Sequence, residues 1–335
     1  MSDYAALCEA LRAQPRRWLV TGAAGFIGSH LVQELLSLGQ YVTGIDDFSS
    51  GYESNLEDVA QQVGADRWKN FSLIEGDIRD ADLCARACSG IDYVLHHAAI
   101  GSVTKSFADP ALTDSVNSGG FLSIMTAAAQ ADVKHLVFAS SSAVYGDGDD
   151  QPRHENERLF PQSPYAVSKY ANELYAGTLA ASLKLPVTGL RYFNMYGPRQ
   201  DPQGAYAAVI PKWIDALLNG KSIEIYGDGE TVRDFCHVQD AVQANMRAAV
   251  CGDAPEGVRV YNIASGQKVT LNQLLSALMS ATGKNTEPSY LGFRQGDIRL
   301  SCASIDKASA DLGFEPSLTL ADGIARTVSW YGAQS

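Results

Sequence analysis

The stretch that most restricts this chain is Arg17-Trp18-Leu19-Val20-Thr21-Gly22-Ala23-Ala24-Gly25-Phe26-Ile27-Gly28. A short apolar strand runs into glycines spaced G-x-x-G-x-x-G, and a helical pattern follows over residues 29–38, ending at Gly39. Glycines so placed let the backbone turn tightly and approach a pyrophosphate, which rests on the helix N-terminus. A second strand, 41–45, ends on Asp46-Asp47. Asp46 lies 18 residues beyond Gly28, close to where an acid binds adenosine ribose hydroxyls. A carboxylate there repels a 2′-phosphate, so the expected cofactor is NAD rather than NADP.

The alternation continues through strand 71–74, helix 81–88, strand 91–96, a helix around 113–131 and strand 135–139. Strands separated by helices at this rhythm predict an α/β fold, a Rossmann-type doubly wound parallel sheet. Ligands of such sheets bind beyond the carboxyl ends of the strands. Gly22 to Gly28, Asp46, Asp77-Ile78, Ala98-Ala99 and Ser140 to Ser142 therefore fall on one rim. His96 and His97 are adjacent on a strand and point to opposite faces, which argues against one shared metal and for packing or cofactor contact. No metal site is expected.

The remainder reads as a smaller α/β lobe, with helices at 211–219, 239–250 and 272–282 and short strands at 222–226 and 260–263. The expected division is residues 1–190, mainly cofactor-binding with a helical extension at 1–16, and 191–335, mainly a substrate lobe. Some chain is expected to cross back to the first domain. No internal repeat or low-complexity linker separates them.

A net charge of −12 argues against nucleic acid or an anionic membrane as the main partner. The apolar runs fall short of the ~20 residues of a membrane span. Six scattered cysteines lack the C-x-x-C pairs of a zinc site, and residues 1–17 lack a signal-peptide core. A reduced, cytoplasmic protein is expected.

Two stretches carry chemistry. In Tyr165-Ala166-Val167-Ser168-Lys169, at the start of a helix expected to reach about residue 183, Tyr165 and Lys169 share one helical face. An ammonium held close lowers a phenol's pKa and makes the pair a proton shuttle. In Ser140-Ser141-Ser142-Ala143-Val144-Tyr145-Gly146, hydroxyls at a strand end can bond a substrate alcohol.

Taken together, TGAAGFIG, Asp46, GDI, HHAA, SSSAVYG and YAVSK resemble the extended short-chain dehydrogenase/reductase family from about Arg16 to Tyr331. The resemblance implies that Tyr165 is the acid/base and that Lys169 steadies it and binds the nicotinamide ribose. It also implies that Ser141, with Ser142 as the near alternative, bonds the reacting hydroxyl. The cofactor set that goes with it is Gly22, Gly25, Phe26, Ile27, Gly28, Asp46, Phe48, Ser49, Ser50, Gly51, Asp77, Ile78, His97, Ala98, Ala99, Ser140, Tyr165, Lys169 and Tyr192. Asn117 stands where the pattern departs from the family and is expected to be a local structural polar residue.

Within the family the second half is similar to the UDP-sugar 4-epimerases. Leu190-Arg191-Tyr192-Phe193-Asn194 matches a strand and loop whose Asn contacts the sugar nucleotide, and residues 207–213, with Ala208, Val209, Lys212 and Trp213, resemble the segment over uracil and sugar. Tyr226 is an expected uridine contact. Arg233 and Arg294 are expected phosphate partners, and Asp297 the ribose partner. Dehydratases of the family carry Asp-Glu before V-Y-G, and decarboxylases a Glu at the position of Ala143; Ser142-Ala143 supplies neither. Four past Asp297, where a bulky Tyr excludes an N-acetyl group, stands Ser301, with Asn194 and Ser102 as polar partners.

The expectation is an NAD-dependent UDP-N-acetylglucosamine 4-epimerase that interconverts UDP-GlcNAc and UDP-GalNAc through a 4-keto sugar, as in surface-polysaccharide supply. The alternatives are a UDP-glucose/UDP-galactose or UDP-N-acetylhexosaminuronic acid 4-epimerase, a net nucleotide-sugar oxidoreductase, or a non-catalytic NAD sensor. The resemblance also implies a homodimer paired through helices near 113–131 and 165–183.

Overall fold

The computed structural model describes residues 4–147, 152–203, 208–250, 258–293 and 299–334. One parallel sheet contains β1 (Arg17–Thr21), β2 (Tyr41–Asp46), β3 (Phe71–Glu75), β4 (Tyr93–His96), β5 (His135–Ser141), β6 (Val187–Tyr192) and β7 (Val258–Ile263). Their spatial order is β7-β6-β5-β4-β1-β2-β3, with every neighbouring pair parallel. The chain runs outward from β1 to β3 and then returns to β4 on the other side of β1. That reversal opens a crevice beyond the strand ends, the usual ligand position in such sheets. The expected Rossmann-type α/β fold is the one observed.

Both faces of the sheet are covered, which is why its strands read as apolar runs rather than alternating ones. On one face, α1 (Tyr4–Ala13) and α2 (Phe26–Ser37) pack with the sheet around Trp18, Leu31, Leu35, Val137 and Leu190. On the other, α3 (Ala81–Cys88), α4 (Gly120–Gln130) and α5 (Pro164–Leu179) enclose Leu19, Phe121, Met125, Phe138 and Ala176. Each fully buried side chain of this size contributes about 1.5–3 kcal/mol.

Two boundaries differ from the sequence reading for a physical reason. The helix expected across 113–131 is interrupted by a π-helical turn, Ser115–Gly119, before α4. The turn buries Asn117 and leads its amide to the backbone of Ile100. Helix α5 begins one residue early, at Pro164, because Ser163 caps it by accepting from Ala166 N, and it stops at Leu179. β7, drawn from the second half of the chain, lies beside β6 with Ile263 opposite Tyr192.

The C-terminal lobe packs α6 (Val209–Leu218) and helices Leu271–Thr282 and Leu320–Gln334 around Ile214, Ile225, Leu274, Leu278 and Ile324. The helix α7 (Val238–Val250) returns to the first face of the main sheet, where Met246 and Ala248 join its core. The lobe's strands are short; one sheet sets Val269–Thr270, Val232–Arg233 and Leu300–Ser301 side by side. No helix among the described residues is long and apolar enough to cross a membrane.

Candidate active site

The glycine turn is built by close approach. Gly22 sits at φ +71°, and a Cβ there would lie 2.7 Å from the amide nitrogen of Ala98. A Cβ on Gly28 would stand 1.9 Å from the carbonyl oxygen of Gly22, so only glycine lets α2 start against the turn. Gly25, the N-cap of α2, supplies no side-chain acceptor. The helix therefore presents its first amides and the positive end of its dipole to an anion. Thr21, at the end of β1, accepts from the backbone amides of His97 and Ala98 at 3.2 and 3.1 Å, tying the ends of β1 and β4 together.

Asp46 is buried at the end of β2, where its carboxylate accepts from Ala24 N at 2.8 Å and Phe48 N at 2.9 Å. Burial raises its pKa, and the two amides counter that shift. A cavity at this rim is lined by Gly22, Gly25, Asp46, Ser49, Ser50, Gly51, Asp77, Ile78, His97, Ala98 and Ala99, all expected from sequence. Ile45, Asp47, Gly76 and Val116 line it too and were missed. Asp47 and Gly76 were legible as neighbours of Asp46 and Asp77, whereas Val116 arrives through the π turn, which has no signature in the sequence. A concave, glycine-floored cavity lined by an acid at the end of β2 fits a dinucleotide. Phe26, Ile27 and Phe48 flank the same turns in the chain.

His96 and His97 diverge. His96 Nδ1 lies 2.8 Å from Thr21 Oγ1, while His97 Nε2 lies 2.9 Å from Tyr192 Oη. Tyr192 also accepts from Asn245 Nδ2 at 2.7 Å, so its hydroxyl supports the cavity through His97. Burial pushes His97 down to about 3, which makes it a neutral ring at physiological pH.

Tyr165 and Lys169 lie on the first turns of α5, the tyrosine half-buried and the lysine buried. Of the two candidate serines, Ser141 is the one that draws the phenol's pKa down. Ser142 opens the 3-10 turn Ser142–Tyr145 beside it. Lys169 Nζ donates to the carbonyl of Ala139 at 2.9 Å and lies 5.9 Å from the centre of the Tyr165 ring. Two corrections follow. The sequence reading has Lys169 lowering the phenol's pKa; in the structure burial raises Tyr165, and the Ser141 hydrogen bond is what pulls it back. Lys169 itself is pushed down to about 8 by burial. Ser140, expected at the cofactor, donates instead to Glu173 Oε1 at 2.5 Å, because its side chain leaves β5 on the face opposite that of Ser141.

Asn117 has a supporting role. Its amide donates to Ser168 Oγ at 2.9 Å and to Ile100 O at 3.2 Å and accepts from Ile100 N, while Ser168 donates to Tyr165 O at 2.8 Å.

The expected sugar-nucleotide residues are spread more widely. Asn194, at φ +27°, donates to the carbonyl of Asp234 at 3.0 Å. Arg233 stands opposite Ser301 in a parallel ladder, so the two share one face of that small sheet. Tyr226 pairs with Leu291. Ser102 caps the helix Val103–Ala108 by accepting from Lys105 N. Ala208 and Lys212 are exposed and Val209 is half-buried. Trp213 is a correction: it is 4% exposed, inside the core of the C-terminal lobe, so it packs rather than covers a ligand. Arg294 and Asp297 lie outside the described residues. Missed in the sequence was Asp234, fully buried, which accepts from Ser265 N, Ser265 Oγ and Gly266 N at 2.7–3.1 Å and so anchors the loop behind Arg233.

A Rossmann-type sheet with a glycine-floored cavity, and with Ser141, Tyr165 and Lys169 gathered at the strand ends, defines a nucleotide-dependent enzyme of hydroxyl chemistry. The sequence match agrees: residues 18–264 fit the NAD dependent epimerase/dehydratase family. The chain belongs to that family, whose cofactor is NAD. It is 39% identical over 321 residues, 95% of this chain and 99% of the relative, to a UDP-glucose 4-epimerase of Mycolicibacterium smegmatis. Among solved structures, it is similar to a UDP-N-acetylglucosamine 4-epimerase from Methanobrevibacter ruminantium in complex with UDP-N-acetylmuramic acid. That likeness has a TM-score of 0.89 and 38% identity, covering 96% of this chain and 99% of the other. The UDP-glucose 4-epimerase of Thermus thermophilus, in complex with NAD, matches with a TM-score of 0.82 and 34% identity over 95% of this chain and 100% of the other.

Proposed function

We propose that the chain is an NAD-dependent UDP-sugar 4-epimerase whose preferred pair is UDP-GlcNAc and UDP-GalNAc. The observation that carries the reaction type is Tyr165 with Lys169 one turn on in α5, at the end of β5 where Lys169 Nζ donates to Ala139 O and Ser141 draws the phenol's pKa down. Gly22, Gly25, Phe26, Ile27 and Gly28 would hold the cofactor's pyrophosphate, and Asp46 its adenosine ribose. When bound, NAD supplies the acceptor and then the donor of a hydride, so no net redox change is needed.

The chain's own residues manage the proton. Ser141 orients the C4 hydroxyl and Tyr165 Oη takes its proton, returning it to the same oxygen once the sugar has presented its other face. Lys169, with a pKa near 8, is still largely an ammonium at neutral pH; it donates to Ala139 O and would bind the nicotinamide ribose of the cofactor. Ser142-Ala143 offers no second acid/base pair next to the relay, which favours epimerisation over dehydration.

The acetylated substrate is supported by Ser301, small and half-buried beside Arg233, which leaves volume where a tyrosine would close it. A second reading, a UDP-glucose/UDP-galactose 4-epimerase, is favoured by the name of the M. smegmatis relative. In the proposed division of labour, residues 1–190 mainly hold NAD and 191–335 mainly hold the UDP-sugar. Purified protein given UDP-GlcNAc, UDP-glucose or the corresponding uronic acid, without added oxidant, tests both readings. Conversion of UDP-GlcNAc at the highest kcat/KM supports the first, and preference for UDP-glucose selects the second.

A homodimer is also proposed. Phe107, Val167 and Leu174 are 61, 51 and 55% exposed on helix Val103–Ala108 and on α5. A second copy set against them would cover an apolar face otherwise left to water. Sedimentation at micromolar concentration, with Leu174→Glu as the breaking variant, tests it.

A further inference from the structure

The last residues of β5 are held by α5. Ala139 O accepts from Lys169 Nζ at 2.9 Å and Ser140 Oγ donates to Glu173 Oε1 at 2.5 Å, while the next residue, Ser141, draws down the pKa of Tyr165. Residues 165, 169 and 173 are one turn apart, so a single helical face meets one strand end. The side chains of Ser140 and Ser141 nevertheless leave the strand on opposite sides. Ser140 is in register with Arg191, and both reach Glu173. Ser141 is in register with Tyr192, whose hydroxyl meets Asn245 of α7 on the other face of the sheet. The end of β5 therefore sets both where Ser141 stands and where Lys169 finds its acceptor, the carbonyl of Ala139.

What holds the end is a buried network unrelated to ligand contact. Arg191 donates to Glu173 through Nε at 2.9 Å and Nη2 at 2.7 Å, a bidentate pair with both side chains less than a tenth exposed. Its Nη1 donates to Tyr145 Oη at 2.8 Å, and Tyr145 donates to Asn262 Oδ1 of β7 at 2.7 Å. The charge of Glu173 is paired with Arg191, and the shift of Lys169 has burial as its cause. The carboxylate acts through geometry.

We infer that Glu173, acting through Ser140, is a positioning residue of the proton relay: it fixes the end of β5 so that Ser141 and Ala139 meet Tyr165 and Lys169. The inference rests on the epimerase reading for its kinetic test and on geometry alone for its structural one. Ser140→Ala leaves the Glu173–Arg191 pair in place and frees the strand end. Its kcat should fall about tenfold with KM for the UDP-sugar and bound NAD unchanged, and Ser140→Thr, which keeps the hydroxyl, should recover most of it. Wild-type kcat in Ser140→Ala would overturn the inference.

A purely structural role is separated by Glu173→Leu combined with Arg191→Met. Removing both charges together should restore the thermal stability that Glu173→Leu alone loses, while kcat stays low because Ser140 is still unheld. Recovery of kcat together with stability would assign Glu173 to stability only. A crystal structure of Ser140→Ala needs no activity: the Lys169 Nζ–Ala139 O separation, 2.9 Å in the wild type, should lengthen beyond hydrogen-bond range, and an unchanged separation contradicts the inference. If the wild type turns over no UDP-sugar, the functional reading fails and this structure still decides the positioning role.

Discussion

The relay at the end of β5 and the ladder that carries Ser301 are built differently. Around the relay, every functional group sits on a long element and is braced by a second one: α5 against β5, the π turn against Ser168, Thr21 against β4. The ladder that carries Arg233 and Ser301 is made of two-residue strands, held from behind by the carboxylate of Asp234. Reaction chemistry needs placement within fractions of an ångström, and specificity for a substituent needs mainly the presence or absence of volume. The difference suggests that changes at the relay cost turnover, and that changes at the ladder change which substrate is turned over.

The largest effect that would break this contrast is at Tyr165. Tyr165→Phe removes the proton carrier and should lower kcat by about 10²–10⁴-fold with the fold intact, measured by NMR of the sugar nucleotide. Next is Gly28→Ala. A Cβ 1.9 Å from a carbonyl oxygen must push α2 off the turn, so the variant should purify without NAD, read by its ultraviolet absorbance ratio. At the ladder, Ser301→Tyr should cut kcat/KM for UDP-GlcNAc by about 10–200-fold and leave UDP-glucose within about threefold. Equal losses for both substrates would erase the distinction between the two regions.

A smaller effect concerns stability. Folded Lys169 has its pKa lowered to about 8, against about 10.4 in an unfolded chain. Between these values the unfolded chain binds the extra proton, so stability rises with pH across that window, by up to roughly 3.3 kcal/mol. Lys169→Met should lose this slope in urea midpoints measured from pH 7 to 10.5. It should also lose turnover, separating the lysine's catalytic use from its cost to the fold.

The sheet was legible because strand, glycine turn and helix are local patterns, and each rim residue follows from the strand before it. Side-chain direction was less so. Ser140 is adjacent to Ser141 in sequence but not in space, and only the alternation along β5 sends it to Glu173. Trp213 was misread although α6 buries Ile210, Trp213, Ile214 and Leu217, a helical stripe visible in the sequence. The π turn at Asn117 and the Glu173–Arg191 pair depend on contacts across 51 and 18 residues, which no local pattern reports. The phenol's pKa went the other way because burial outweighs a lysine whose ammonium is turned toward Ala139.

The most direct measurement is NMR of UDP-GlcNAc incubated with the purified protein alone, alongside Tyr165→Phe. The expected result is equilibration with UDP-GalNAc without added oxidant and without accumulating NADH, lost in the variant. No interconversion of any UDP-sugar, or a Tyr165→Phe variant as fast as the wild type, would contradict the assignment.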